Sequence, residues 1–172
     1  MQIPAGHNLI INKNKEINLN QWYDLKKESL KVKTHNDVMD ILYDSIKLRT
    51  RSDVDLGILL SGGIDSSLLT INLDKIRSNY KVFHGSTTEE ETNETAFAYL
   101  VSKFINKQLI ISRPSSEEFW GNLKKVIHQQ DEPFGSTSIF MQYFVMEDAK
   151  KQNCKVILDG QGADEICLGY KR

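Results

Sequence analysis

The sequence predicts an α/β fold in which a parallel sheet carries helices on both faces. Two observations carry that reading. From residue 54 onward, short apolar runs alternate with helix-like segments, and two of those runs, ending at Leu60 and Leu158, break into Gly-rich loops. Strands separated by helices require right-handed crossovers, which make the strands parallel and cover both faces of the sheet. Ligands of such sheets bind beyond the carboxyl ends of the strands, so the same pattern marks the two loops as the place to look for a site.

Each element follows from local pattern. Residues 1–33 read as a lead-in segment. Leu9-Ile10-Ile11 and Glu16-Ile17-Asn18-Leu19 flank Asn12-Lys13-Asn14-Lys15, which predicts a hairpin with an Asn-rich turn. Trp22-Tyr23-Asp24-Leu25 and a basic stretch to Lys33 follow. Residues 34–172 read as the main domain. Thr34 with Asp37 three residues on predicts a helix cap, and Val38, Ile41, Leu42, Ile46 and Leu48 recur near helical spacing. Strands are expected at 54–60, 80–84, 108–111 and 155–158. Helices are expected at 67–76, at 93–106, from the Ser115–Glu118 capping box to 130, and at 138–152. In the second of these, Ala96, Phe97, Leu100, Val101 and Phe104 are expected to share one face.

Composition removes several function classes. The chain has 172 residues, 40% hydrophobic and 26% charged, with a net charge of −1. That charge gives no broad attraction to nucleic acid or anionic membrane. No apolar run approaches the roughly 20 residues of a membrane helix, and residues 1–7 lack the basic-then-apolar order of a signal peptide. A cytoplasmic location is expected. Cys154 and Cys167 are not in a C-x-x-C pair and read as reduced, buried thiols rather than zinc ligands.

Ser61-Gly62-Gly63-Ile64-Asp65-Ser66-Ser67 lies at a strand–helix junction. Adjacent glycines let successive N–H groups face one anion, and the start of the next helix adds unpaired N–H groups and its positive dipole end. Ser61, Ser66 and Ser67 supply hydroxyls. Asp65 would repel phosphate by itself and makes sense as a Mg²⁺ ligand bridging to phosphate oxygens. The same residues could form a plain Gly-Gly turn that caps a helix. Neither the G-x-x-x-x-G-K-[ST] loop nor a G-x-G-x-x-G fingerprint is present. The second loop, Asp159-Gly160-Gln161-Gly162-Ala163-Asp164-Glu165, again pairs glycines with acids, and Asp164 or Glu165 could reach a metal held by Asp65. Alone it is equally a Gly-rich turn with solvated acids.

The Ser-Gly-Gly-x-Asp-Ser pattern resembles the phosphate loop of the N-type ATP pyrophosphatases, with an adenine nucleotide alpha hydrolase-like, Rossmann-like fold, truncated here. Leu59 to Ser67, Asp131-Glu132-Pro133-Phe134, and Gly160 to Glu165 followed by Gly169-Tyr170 together resemble the synthetase domain of glutamine-hydrolysing asparagine synthetases. Asn93-Glu94-Thr95-Ala96 and the lead-in Ile3-Pro4-Ala5-Gly6-His7 with Trp22 fit the same family. The resemblance implies ATP and Mg²⁺ as cofactors, an aspartate-like carboxylate and ammonia as substrates, and amide formation through an adenylate with release of pyrophosphate. It implies phosphate contacts from Leu60, Ser61, Gly62, Gly63, Asp65 and Ser66. Metal ligation would fall to Asp65 and Asp164. Adenosine contacts, mostly through main chain, would come from His84, Asp159 and Gly160. Substrate contacts would come from the Phe134–Ser138 loop (Ser136 and Thr137) and from Glu132. No catalytic acid or base is assigned; Gln161 stands where some members are acidic. His84 is otherwise a plain strand-end residue, and the 134–138 hydroxyls are otherwise a polar helix cap.

The sequence departs from the family pattern in places. Gln2 stands where the family's glutaminase nucleophile would be, Asp159 replaces the usual Ser, Leu168 a usual Gly, and the chain stops before the family's catalytic lysine. The expectation is the front part of a synthetase domain, served by a separate glutaminase domain or subunit. A fragment, a split protein and a degenerate paralogue remain open. A β-lactam-forming or sugar-acid amidating relative shares the motifs, and a non-catalytic ATP-binding fragment is the non-enzyme alternative. A tRNA-thiolating relative is disfavoured by the charge and cysteine positions.

Overall fold

The computed structural model describes residues 2–24, 26–27, 34–87, 93–167 and 169. The expectations for Leu25, for 28–33, for Leu168 and Tyr170, and for the Cys167 side chain lie outside the described residues. The chain divides into two units, Met1–Asp40 and Ile41–Arg172.

In the first unit, β1 (His7–Ile11) and β2 (Ile17–Gln21) pair antiparallel, with His7 opposite Gln21 and Ile11 opposite Ile17. Asn12 makes the turn, because its Oδ1 accepts from the backbone N–H of Asn14 at 3.0 Å and of Glu16 at 2.9 Å. Helix α1 (His35–Arg49) opens on a reciprocal cap. The Asp37 N–H donates to Thr34 Oγ1 at 3.2 Å and the Thr34 N–H to Asp37 Oδ2 at 2.9 Å. Of the five apolar residues expected to define its face, only Ile46 is buried and Leu42 packs beside it; Val38, Ile41 and Leu48 are exposed.

The second unit is built on four parallel strands: β3 (Leu56–Leu59), β4 (Lys81–Gly85), β5 (Leu109–Ser112) and β6 (Val156–Leu158), in the order β5-β4-β3-β6. Helices α2 (Ile64–Ile76) and α3 (Thr95–Phe104) link β3 to β4 and β4 to β5. The chain then returns through α4 (Ser116–Gln130) and α5 (Ser138–Lys151) to the other side of β3, ending in β6 and the short α6 (Ala163–Cys167). The sheet therefore reverses its direction of growth between β3 and β6, the topological switch at which open α/β sheets leave a crevice.

Period-two alternation sorts the strand residues between two cores. Leu56, Ile58, Leu60 and Val82 pack with Leu73, Ala98, Ile105 and Ile46 on one face. Phe83, Leu59, Ile110 and Ile157 pack with Met141, Val145 and Ala149 of α5 on the other. Both faces are covered, as expected. The α4 capping box also forms: Ser115 Oγ accepts from the Glu118 N–H at 3.2 Å and Glu118 Oε2 from the Ser115 N–H at 2.8 Å.

Two elements differ from expectation. Helix α2 begins at Ile64, three residues early, because Gly63 (φ −68°, ψ 166°) is its N-cap; Asp65 thus falls in the first turn. Helix α3 buries its small residues, Thr95, Ala98 and Ser102, while Phe97, Leu100 and Phe104 are 60–75% exposed. Its first turn lies so close to the backbone at Gly62 that a Cβ there would come within 3.1 Å of the Ala98 nitrogen, which leaves no room for bulk on that side.

Gly57 gives a test of the central packing. A Cβ there would lie 2.6 Å from Phe83 Cε2, 2.7 Å from Ile157 Cδ1 and 2.9 Å from Cys154 Sγ. Gly57→Ala is expected to cost about 1–3 kcal/mol by overpacking, read as a lower urea midpoint with an unchanged slope.

Candidate active site

The loop after β3 is organised by its own hydroxyls. The Ser61 N–H donates to Ser66 Oγ at 3.1 Å, and the two hydroxyls are 2.9 Å apart. The Gly63 N–H donates to Ser61 Oγ at 3.1 Å, while Ser66 and Ser67 hydroxyls donate to the Gly63 carbonyl at 3.2 and 2.7 Å. The serines expected to meet phosphate are therefore first the struts of the loop. Gly63 has no side chain to cap α2, so the first-turn N–H groups open toward the crevice end of the sheet without a side-chain acceptor.

Gly62 adopts φ +104°, and a Cβ on it would stand 2.7 Å from the Glu94 carbonyl and 3.1 Å from both Phe97 Cβ and Ala98 N. Glycine is required here both for the left-handed backbone and for the seat on α3. The second loop approaches the first backbone to backbone. A Cβ on Gly160 would lie 3.4 Å from Ser66 N and 3.6 Å from the Asp65 carbonyl carbon, so the loop after β6 lies directly against the start of α2.

These approaches enclose a cleft of about 330 Å³ at the switch point. Of the residues expected at the site, Leu60, Ser61, Asp65, Ser66, Asp159, Gly160 and Asp164 line it. Gly62 and Gly63 shape the loop without lining the cleft. The Asp164 carboxylate lies over the Cα of Gly169, where any side chain would displace it, and the Gly169 N–H donates to the Asp164 carbonyl at 3.1 Å. His84 does not line the cleft; it is buried on the α3 side of the sheet. Glu132 borders a separate groove with Ile127, His128, Asp131 and Pro133. Ser136 and Thr137 are exposed, and Ser136 Oγ lies 2.6 Å from Ser138 Oγ while accepting from the Ser138 N–H at 3.2 Å.

The opposite wall was not expected from sequence. Phe83, Gly85, Met141, Gln142 and Val145 line the cleft. A Cβ on Gly85 would stand 2.5 Å from Met141 Cγ and 3.3 Å from Val145 Cγ2. A glycine closing β4 was the available signal, but nothing local in sequence pairs it with α5. The cleft thus joins a polar floor of backbone N–H groups and carboxylates to an apolar wall, the arrangement of a site for a small ligand with an anionic part.

A parallel α/β sheet with its Gly-rich loops gathered at the switch point defines a ligand-binding domain of the Rossmann-like class. Residues 37–172 match the asparagine synthase family, and the chain belongs to it. The glutamine-hydrolyzing asparagine synthetase 1 of Bacillus subtilis (strain 168) is 34% identical over 134 residues, 78% of this chain and 21% of that protein. A relative named for the same activity from Methanocaldococcus jannaschii is 32% identical over 179 residues, 98% of this chain and 34% of its own length. The chain therefore spans about a fifth to a third of these relatives. Among solved structures, the glutamine-dependent NAD+ synthetase of Acinetobacter baumannii in complex with ADP shares the fold. Its TM-score is 0.58 at 14% identity, over 95% of this chain and 31% of that one.

This geometry makes two outcomes measurable. Gly62→Ala is expected to lose at least about 1–2 kcal/mol from the left-handed backbone alone. Gly63→Ala, whose Cβ would meet only the Ser61 hydroxyl at 3.3 Å, is expected to cost less; paired thermal melts separate them. The second concerns pH. Burial pushes the His84 imidazole below its ordinary value near 6.5, opposed by the Leu60 carbonyl and Glu94 and reinforced by Arg113. The unfolded chain then takes up the proton more readily. The His84 contribution to stability is therefore complete above that ordinary value and is lost as pH falls through the folded value. Melts between about pH 7.5 and 5.5 are expected to show this loss in wild type and a smaller one in His84→Asn.

Proposed function

We propose that the cleft binds ATP with Mg²⁺ and that the protein is an ATP-dependent ligase that converts a carboxylate, by default the side chain of aspartate, into an amide. The carrying observation is the close approach of Gly160 to the first turn of α2, with Asp65 and Asp164 lining one cleft at the switch point. Family membership and the ADP complex of a protein sharing the fold support the reading.

In this reaction a carboxylate oxygen attacks the α-phosphorus of ATP, the bond to the β-phosphate oxygen breaks, and pyrophosphate leaves. Ammonia then attacks the acyl carbon of the adenylate, the bond to AMP breaks, and the amide forms. The first-turn N–H groups of α2 would face the departing pyrophosphate, where negative charge grows in the transition state. The wall of Phe83, Gly85, Met141 and Val145, with the main chain of Asp159 and Gly160, would receive the adenosine. Among the described residues, no three acidic, His or Cys side chains gather closely enough to hold a metal by themselves. That suits Mg²⁺, which binds through one or two carboxylates and takes its remaining oxygens from phosphates and water; Asp65 and Asp164 fit that role. Bound there, the ion would neutralise the phosphate tail. Glu132, Ser136 and Thr137 are assigned to the acceptor carboxylate by resemblance and lie outside the cleft. Ammonia would come from a glutaminase domain or subunit, as the names of the relatives suggest.

Pyrophosphate release with aspartate and ammonia, measured on this chain and on any longer reading frame that carries it, tests the reading. Asp65→Asn and Asp164→Asn are each expected to lower the rate by about 100-fold or more. Turnover that persists unchanged in both variants, or nucleotide binding indifferent to Mg²⁺, would overturn the assignment.

A further inference from the structure

Behind the cleft lies a buried polar chain that the proposed chemistry does not use. His84 is 2% exposed. It sits between two cleft residues, Phe83 and Gly85, and so faces the other side of the sheet. Its Nδ1 lies 2.7 Å from the Leu60 carbonyl oxygen and its Nε2 2.8 Å from Thr95 Oγ1. A carbonyl can only accept, so Nδ1 carries a ring proton and donates to Leu60, while Nε2 meets the Thr95 hydroxyl. Thr95 Oγ1 is also 3.0 Å from Ser86 Oγ, which accepts from Arg113 Nε at 3.3 Å and Nη2 at 3.2 Å.

The two ends of this imidazole hold the residue before the loop and the first residue of the helix on which the loop is seated. Leu60 is the last residue before Ser61-Gly62-Gly63. Its N–H donates to the Phe83 carbonyl at 2.8 Å, and its carbonyl is the one His84 holds. Thr95 opens α3, and the turn around it (Glu94 carbonyl, Phe97 and Ala98) is the seat on which Gly62 rests. An apolar side chain of similar size would fill the same volume but would leave the Leu60 carbonyl unpaired on a buried face.

We propose that His84 is a positioning residue for the phosphate loop, bracing the residue that begins the loop against the helix turn on which the loop is seated, with Ser86 and Arg113 extending the brace to the end of β5. Its consequence for binding rests on the nucleotide reading of the cleft; its consequence for loop geometry does not.

The test uses ATP with Mg²⁺ in calorimetric titration, together with ¹H–¹⁵N spectra of the backbone and of the histidine ring. His84→Leu is expected to weaken ATP binding by about tenfold, the effect of one buried hydrogen bond. His84→Asn, which keeps an amide donor where Nδ1 stood, is expected to recover most of it. Thr95→Val is expected to weaken binding severalfold and, like His84→Leu, to shift the amide signals of Ser61–Ser66. The wild-type ring is expected to show its proton on Nδ1. Wild-type affinity and unmoved loop amides in His84→Leu, or an Nδ1 that carries no proton, would overturn the inference. If wild type itself binds no ATP, the nucleotide reading fails, and the loop amides and ring tautomer still decide the brace. If His84→Leu does not fold, Thr95→Val decides: shifted loop amides support the brace, and unmoved ones overturn it.

Discussion

The cleft exists because two stretches of backbone nearly a hundred residues apart touch without side chains between them. A Cβ on Gly160 would meet the carbonyl carbon of Asp65 and the nitrogen of Ser66 at ordinary van der Waals distance, so the two backbones lie about one methyl group apart. Only a parallel sheet that reverses its growth between β3 and β6 brings the ends of those strands side by side. This proximity sets Asp65 and Asp164 around one space beside the first turn of α2.

A second constraint acts from behind. The loop after β3 stores its shape in hydrogen bonds among Ser61, Gly63, Ser66 and Ser67, and in the left-handed Gly62 pressed onto α3. On the proposed reading, a short loop that presents N–H groups to an anion is held in shape before the ligand arrives. Preorganisation of this kind avoids an ordering cost on binding. The serines spend their hydroxyls on the loop itself, which leaves backbone N–H groups and the helix dipole as the principal donors.

Family membership and the departures from the family pattern meet at the cleft. Asp159, where the resemblance leads one to expect Ser, borders the same space as Asp65 and Asp164. Carboxylates and the first-turn N–H groups of α2 give the cavity a polar side. The apolar wall from Phe83, Met141 and Val145 gives the same cavity a face that no metal needs. A ligand with an apolar ring at one end and phosphates at the other satisfies both.

The sheet was legible in the sequence because a strand buried on both faces must be apolar along its length and a crossover helix must follow it. Both are local statements about residues 54–158, and the loop after β3 was legible because Gly-Gly at a strand–helix junction marks a turn. The face of α3 was not legible. Bulky apolar residues normally mark the buried side, yet this helix buries Thr95, Ala98 and Ser102 and leaves Phe97 and Phe104 exposed. His84 ends a strand beside the loop, which points it toward the ligand on sequence alone. One step of pleat turns it to the other face, where Leu60 and Thr95 take both of its nitrogens. Sequence by itself determined the family, the strand–helix order and the two loops that matter, since each depends on residues adjacent in the chain. Tertiary structure alone decided which side chains share the cleft, why Met141 of a distant helix seats against Gly85, and that Glu132 faces a different groove. Those outcomes depend on distances between elements, which no stretch of sequence encodes locally.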